Sequence, residues 1–134
     1  MKRFLGIVFA VMAVIAVIDM ILHHVILMDA YKQTMYLWRS EAEIKGLVGL
    51  IWAGYLAFAL FFVWIFAKGY EKGKPGLGQG LRFGILAGLL VYTASNLMCY
   101  AVMPLPVAIP VAWFLGGMAE CVAGGTVAGM IYKP

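Results

Sequence analysis

The chain has 134 residues, of which 65% are apolar and only 12% charged, and its mean hydropathy is +0.97. A water-soluble domain is about half apolar and about a quarter charged, so this composition excludes an ordinary soluble fold and implies lipid as the solvent. The net charge of +4 then reports orientation in a membrane rather than nucleic-acid binding.

Four apolar stretches are long enough to span, over residues 4–28, 46–67, 81–103 and 107–132. About twenty residues at ~1.5 Å rise each cross a hydrocarbon core of ~30 Å. None alternates like a barrel strand, so helices must satisfy the backbone. The expectation is one all-α domain over residues 1–134, an integral membrane four-helix bundle. The opening MKRFLGIVFAVMAVIAVIDM has the charge pattern of a signal peptide. It lacks a small-x-small cleavage site before Asp19 and is read as a retained first helix.

The first span ends in polar groups. Asp19 lies fifteen residues after Phe4, ~22 Å along the helix. Asp19 and His23 are spaced i, i+4 and share a helix face, where an acid can orient an imidazole or share its proton. The same pair also suits a structural hydrogen bond at the outer boundary. Met20, His24 and Met28 form a second line of soft donors suited to Cu(I). One helix rarely closes a metal site alone, and methionine is common filler in apolar helices. No cofactor is the default expectation; a haem, a chlorophyll-type pigment or copper at His23 or His24 are the alternatives.

The first connection, DAYKQTMYLWRSEAEIK, is long enough for a short interfacial helix capped by Asp29 and running to about Arg39. Its Tyr31, Tyr36 and Trp38 suit the headgroup layer. Ser40 with Glu43 reads as a capping box that starts the second span. The second connection, KGYEKGKPGLGQG, is rich in glycine and lysine and reads as a flexible loop that touches anionic lipid. In the third, MPLPVAIP, Pro104 ends a helix and Pro110 falls in the first turn of the next.

Small residues mark where helices can approach in lipid. Gly80, Gly84 and Gly88 recur every fourth residue in span three, and Gly117, Cys121, Gly125 and Gly129 do so in span four. These two spans are the expected close pair. Tyr92, Asn96 and Tyr100 continue the first stripe, and Glu120 lies near the middle of span four. By counting, Asp19, Asn96 and Glu120 reach comparable depth, and no Lys or Arg lies there to pair with either acid. A carboxylate among hydrocarbon needs a partner, water or a proton. Asp19, His23, Asn96, Glu120, Tyr92 and Tyr100 are therefore the candidate ligand-binding or proton-relay residues.

A short repeat relates the starts of spans one and three, Arg3-Phe4-Leu5-Gly6-Ile7 against Arg82-Phe83-Gly84-Ile85. It places Asp19 near Asn96 and Trp52 near Trp113, and suggests two tandem helical hairpins. Lys2, Arg3, Lys68, Lys72, Lys74, Arg82 and Lys133 fall on the side of both termini; Lys32, Arg39 and Lys45 fall on the other. The positive-inside rule then predicts cytoplasmic termini in a cell inner (plasma) membrane. Cys99 and Cys121 lie at different depths, too far apart for a disulfide. No GxSxG, HExxH or Walker motif occurs.

Asp19, Tyr31, the run Tyr92-Thr93-Ala94-Ser95-Asn96-Leu97, and Glu120 followed by Gly124-Gly125-Thr126 together resemble small uncharacterised four-helix inner-membrane proteins of bacteria. Ser95 stands where such proteins carry an acid. The resemblance implies a four-span fold and brings no activity with it. Short connections and packing stripes without a catalytic set lead to the expectation of a non-enzymatic accessory or assembly subunit of a larger membrane complex. Its partners would be lipid, other membrane subunits or further copies of itself, and not nucleic acid. The alternative is a carrier or binder of a small ligand or proton.

Overall fold

The computed structural model describes residues 2–133, and no strand occurs among them. Helix α1 runs Lys2–Ile26, its last turn, Leu22–Ile26, wound as π-helix. Two short helices follow, α2 at Met28–Gln33 and α3 at Glu41–Gly46. The remaining long helices are α4 at Val48–Lys68, α5 at Gly76–Val102 and α6 at Ala108–Ile131. Helix α5 contains a second π-helical turn, Leu89–Thr93. Helices α1, α4, α5 and α6 are each long and apolar enough to cross a membrane.

Three local expectations are corrected. Asp29 does not cap α2: Leu27 occupies the N-cap without a side-chain bond. The backbone winds straight out of the preceding π-turn, with Leu27 N–H donating to Leu22 C=O at 2.9 Å, and leaves Asp29 to an exposed pair with Lys32. Helix α2 also stops at Gln33, short of Arg39. There the Thr34 hydroxyl donates back to the Ala30 carbonyl (2.8 Å) and accepts from the Trp38 indole (2.9 Å), which turns the chain. The Ser40–Glu43 capping box is present, and the Ser40 hydroxyl holds the Glu43 carboxyl below the ordinary glutamate range. It starts α3, however, and Leu47 separates α3 from the long α4.

The second connection is ordered by one side chain rather than loose. Gln79, buried, accepts from Glu71 N–H (2.8 Å) and donates to the Glu71 and Lys74 carbonyls (3.1 Å each). Glu71 in turn pairs with Lys74 and, at 3.1 Å, with Arg82. These partners hold its carboxyl below the ordinary glutamate range, so their contribution is present at neutral pH and is lost as pH falls through that lowered value. Helix α5 consequently begins at Gly76, five residues before the apolar run that marked it in the sequence.

Helix α6 is the centre of the bundle. It packs along α5 on one side and α1 on the other, while α4 lies against α1. The two hairpins, α1–α4 and α5–α6, are therefore not equivalent: α6 packs along two long helices, whereas α4 packs along α1 and touches α5 and α6 over a short length. Glycines cause the difference. A Cβ on Gly80 would strike the Gly125 carbonyl, and one on Gly84 the Cys121 carbonyl, whose carbon would lie 2.9 Å away. Gly76 and Gly129 make the same backbone-to-backbone approach. Side chains do this work elsewhere: Ile7, Val8, Val11 and Ile15 of α1 meet Ala59, Phe62, Val63 and Phe66 of α4. A second cluster, Leu22, Leu27, Leu105 and Ile109, fastens the α2 segment to the opposite end.

Gly84→Val forces a side chain into the α6 backbone and is expected to cost about 2 kcal/mol or more, within the overpacking range. Gly78 has nothing within 4 Å of an added Cβ, so Gly78→Ala is expected to be neutral or mildly stabilising. Thermal unfolding of both variants in detergent checks the pair; equal effects would contradict the glycine contact.

Candidate ligand-binding site

Between α1, α5 and α6 lies a cleft of about 240 Å³. Asp19, Leu22 and His23 line it from α1, Tyr92, Asn96 and Cys99 from α5, and Trp113, Gly117 and Glu120 from α6. Both π-turns border it. An extra residue per turn rotates the side chains beyond it, a device frequent at functional sites. In α1 the π-turn carries His23, and in α5 it carries Tyr92.

Two glycines of α6 make room for the walls. A Cβ on Gly116 would collide with the Leu22 side chain, and one on Gly117 with the Tyr92 ring. Gly117, which the sequence placed in a packing stripe, thus seats a side chain of the cleft. Gly88 differs from Gly80 and Gly84 in meeting a side chain, with an added Cβ 2.7 Å from the Met118 sulfur.

The polar groups form two arrays. In the first, Trp113 Nε1–H donates to the Tyr31 hydroxyl at 2.7 Å. An indole N–H can only donate, so the hydroxyl proton is directed to His23 Nδ1, 2.6 Å away. The two rings lie nearly parallel, 7° apart in orientation. With Nδ1 accepting, His23 carries its own proton on Nε2, which faces Asp19 Oδ1 at 3.3 Å. Tyr55 of α4 donates to the other oxygen, Oδ2. Every donor in the array points toward Asp19, the arrangement that an ionised carboxylate accepts. Burial holds the Tyr31 hydroxyl above the ordinary tyrosine range, so it remains a donor at neutral pH.

The second array centres on Glu120, which is 3% exposed. Tyr92 O–H donates to Glu120 Oε2 at 2.8 Å. Asn96 Nδ2 donates to the Tyr92 carbonyl at 2.8 Å and steadies that turn. Among the described residues lining the cleft there are two carboxyl groups and one imidazole, and no lysine or arginine.

The structure brings together Asp19, His23, Asn96, Glu120 and Tyr92. It leaves Tyr100 exposed and outside the cleft, one turn beyond Asn96. Met20, His24 and Met28 are all exposed and lie outside the cleft, and Leu27 separates Met28 from the helix carrying the other two. Cys99 and Cys121 are both free thiols.

Sequence reasoning missed Tyr55, and it placed Tyr31 and Trp113 elsewhere. Tyr55 carries the only side-chain hydroxyl of the apolar run 46–67, a signal that it needs a partner. Tyr31 looked like a headgroup anchor, and only the fold of α2 back onto α6 reveals its role. Trp113 entered only as a mark of the repeat, whose counterpart Trp52 lies exposed and outside the cleft.

Tyr31→Phe removes the link between Trp113 and His23 and is expected to cost about 1–2 kcal/mol. Nitrogen NMR of the His23 ring should show Nε2–H in the native protein and a mixture of tautomers in the variant. Nδ1–H in the native protein would contradict the array. Compared with protein-family models, curated proteins and solved structures, the chain matches none.

Proposed function

We propose that the chain is a small multi-pass membrane protein, without enzymatic activity, whose cleft binds a small cationic ligand between Asp19 and Glu120. The observation that carries this reading is the charge pattern of the cleft: two carboxyl groups, one imidazole, and no lysine or arginine among the described residues that line it. The missing partner is a positive charge. A protonated amine would answer both acids, and the Trp113 and Tyr92 rings beside it favour a cation over a neutral molecule. His23, held by Tyr31, positions the Asp19 carboxylate through its ring nitrogen Nε2.

Support for the membrane setting comes from the exterior. Only 11% of the most apolar stretch of α5 is buried, so the surroundings must be apolar as well. Four crossings return the chain to the side where it began. Seven of the ten Lys and Arg residues then share that side, which favours cytoplasmic termini in a cell inner membrane. This is the setting of the small bacterial four-helix proteins that the sequence resembles.

An accessory subunit is the second reading, and it draws on the same exposed apolar surface. Recovery in a stoichiometric complex with a larger membrane protein would favour it.

Benzylammonium is the simplest probe of the cleft. Calorimetric titration of the purified protein should show binding that weakens at least tenfold in Asp19→Asn and in Glu120→Gln, with benzyl alcohol failing to bind. Equal binding of the amine and the alcohol, or unchanged binding in both variants, would reject the cationic-ligand reading.

A further inference from the structure

A second cavity lies on the opposite face. Helices α4 and α5 meet at one end, where Phe62 and Phe83 pack with ring centroids 4.7 Å apart, and then diverge. The groove they leave holds about 550 Å³. Phe61 and Ile65 line one wall and Phe83, Leu86 and Leu90 the other; no charged side chain lines it among the described residues.

The rim is different. On α4 the stripe Phe61, Ile65 continues at helical spacing to Lys68. On α5 the stripe Leu90, Leu86 runs back at the same spacing to Arg82. Both cations are exposed and terminate the two walls at the same end of the groove. Lys68 Nζ lies 6.0 Å from the centre of the Trp64 ring and makes no ion pair among the described residues, while Arg82 shares one nitrogen with Glu71. An apolar slot with two cations just beyond one end is complementary to a molecule with an acyl tail and an anionic head.

We propose that this groove is a binding site for one anionic phospholipid, with an acyl chain between α4 and α5 and the phosphate held by Lys68 and Arg82. The inference rests on the membrane reading given above. It differs from general attraction of anionic lipid to a basic surface because the cations are tied to a particular cavity. The groove selects for the tail and the rim selects for the head.

The test is native mass spectrometry of the protein released from nanodiscs of equal parts phosphatidylcholine and phosphatidylglycerol. The native protein should retain phosphatidylglycerol at least threefold above its share. Lys68→Gln combined with Arg82→Gln should return the ratio to that of the bilayer. Leu86→Trp, which fills the groove, should lose retained lipid of both kinds. Glu71→Gln breaks the same Arg82 contact but keeps both cations, and should preserve the preference. Lys32→Gln with Arg39→Gln, an equal charge loss at the other end, should preserve it too. Equal retention of the two lipids by the native protein would overturn the proposal, as would a preference abolished by the Lys32 and Arg39 pair. A dimer dissociated by Leu86→Trp would instead give the groove to a second copy and also overturn it. Failure of the native protein to enter nanodiscs at all would refute the underlying membrane reading, a result distinct from loss of lipid preference.

Discussion

A carboxylate held among apolar helices without a lysine or arginine must be satisfied by hydrogen-bond donors, and much of this fold arranges donors around Asp19. His23 comes from the same helix, Tyr55 from α4, and the Tyr31–Trp113 link reaches from α2 to α6. Four helical elements are thereby tied to one acid. Removing an outer member leaves inner groups unpaired in a low-dielectric setting, where unpaired polar groups are costly. The α2 segment is accordingly part of the site as well as a connector.

The second constraint is steric and it is met by glycine. Where α5 approaches α6, the backbones themselves touch at Gly80, Gly84 and Gly125, an approach that no other residue permits. Farther along the same pair, Gly117 admits the Tyr92 ring and the helices part enough to leave the cleft. One helix pair thus supplies tight contact at one end and an open cleft at the other. The hydrogen bond from Tyr92 to Glu120 spans this transition.

The helices were legible in the sequence because their signal, a long apolar run, is local. So were the close pair α5–α6, through its four-residue glycine spacing, and the Asp19–His23 pair, through its i, i+4 spacing. Features that depend on nonlocal contacts were not legible. The start of α5 is set by Gln79 bonding across a loop, and glycine and lysine content alone suggested a mobile chain there. The π-turns have no compositional mark, yet one carries His23 and the other Tyr92 into the cleft. Tyr55 and Trp113 join the site from helices that meet α1 only after folding.

Convergence on Asp19 is most directly measured by a double-mutant cycle between Asp19→Asn and Tyr55→Phe, read from unfolding free energies in detergent. Residues that share a buried hydrogen bond couple by about 0.5–3 kcal/mol, whereas independent sites add to within roughly 0.5 kcal/mol. The arrangement described here predicts a coupling of about 1 kcal/mol or more between the two. Simple additivity would contradict it, and with it the view that the donors around Asp19 organise the cleft.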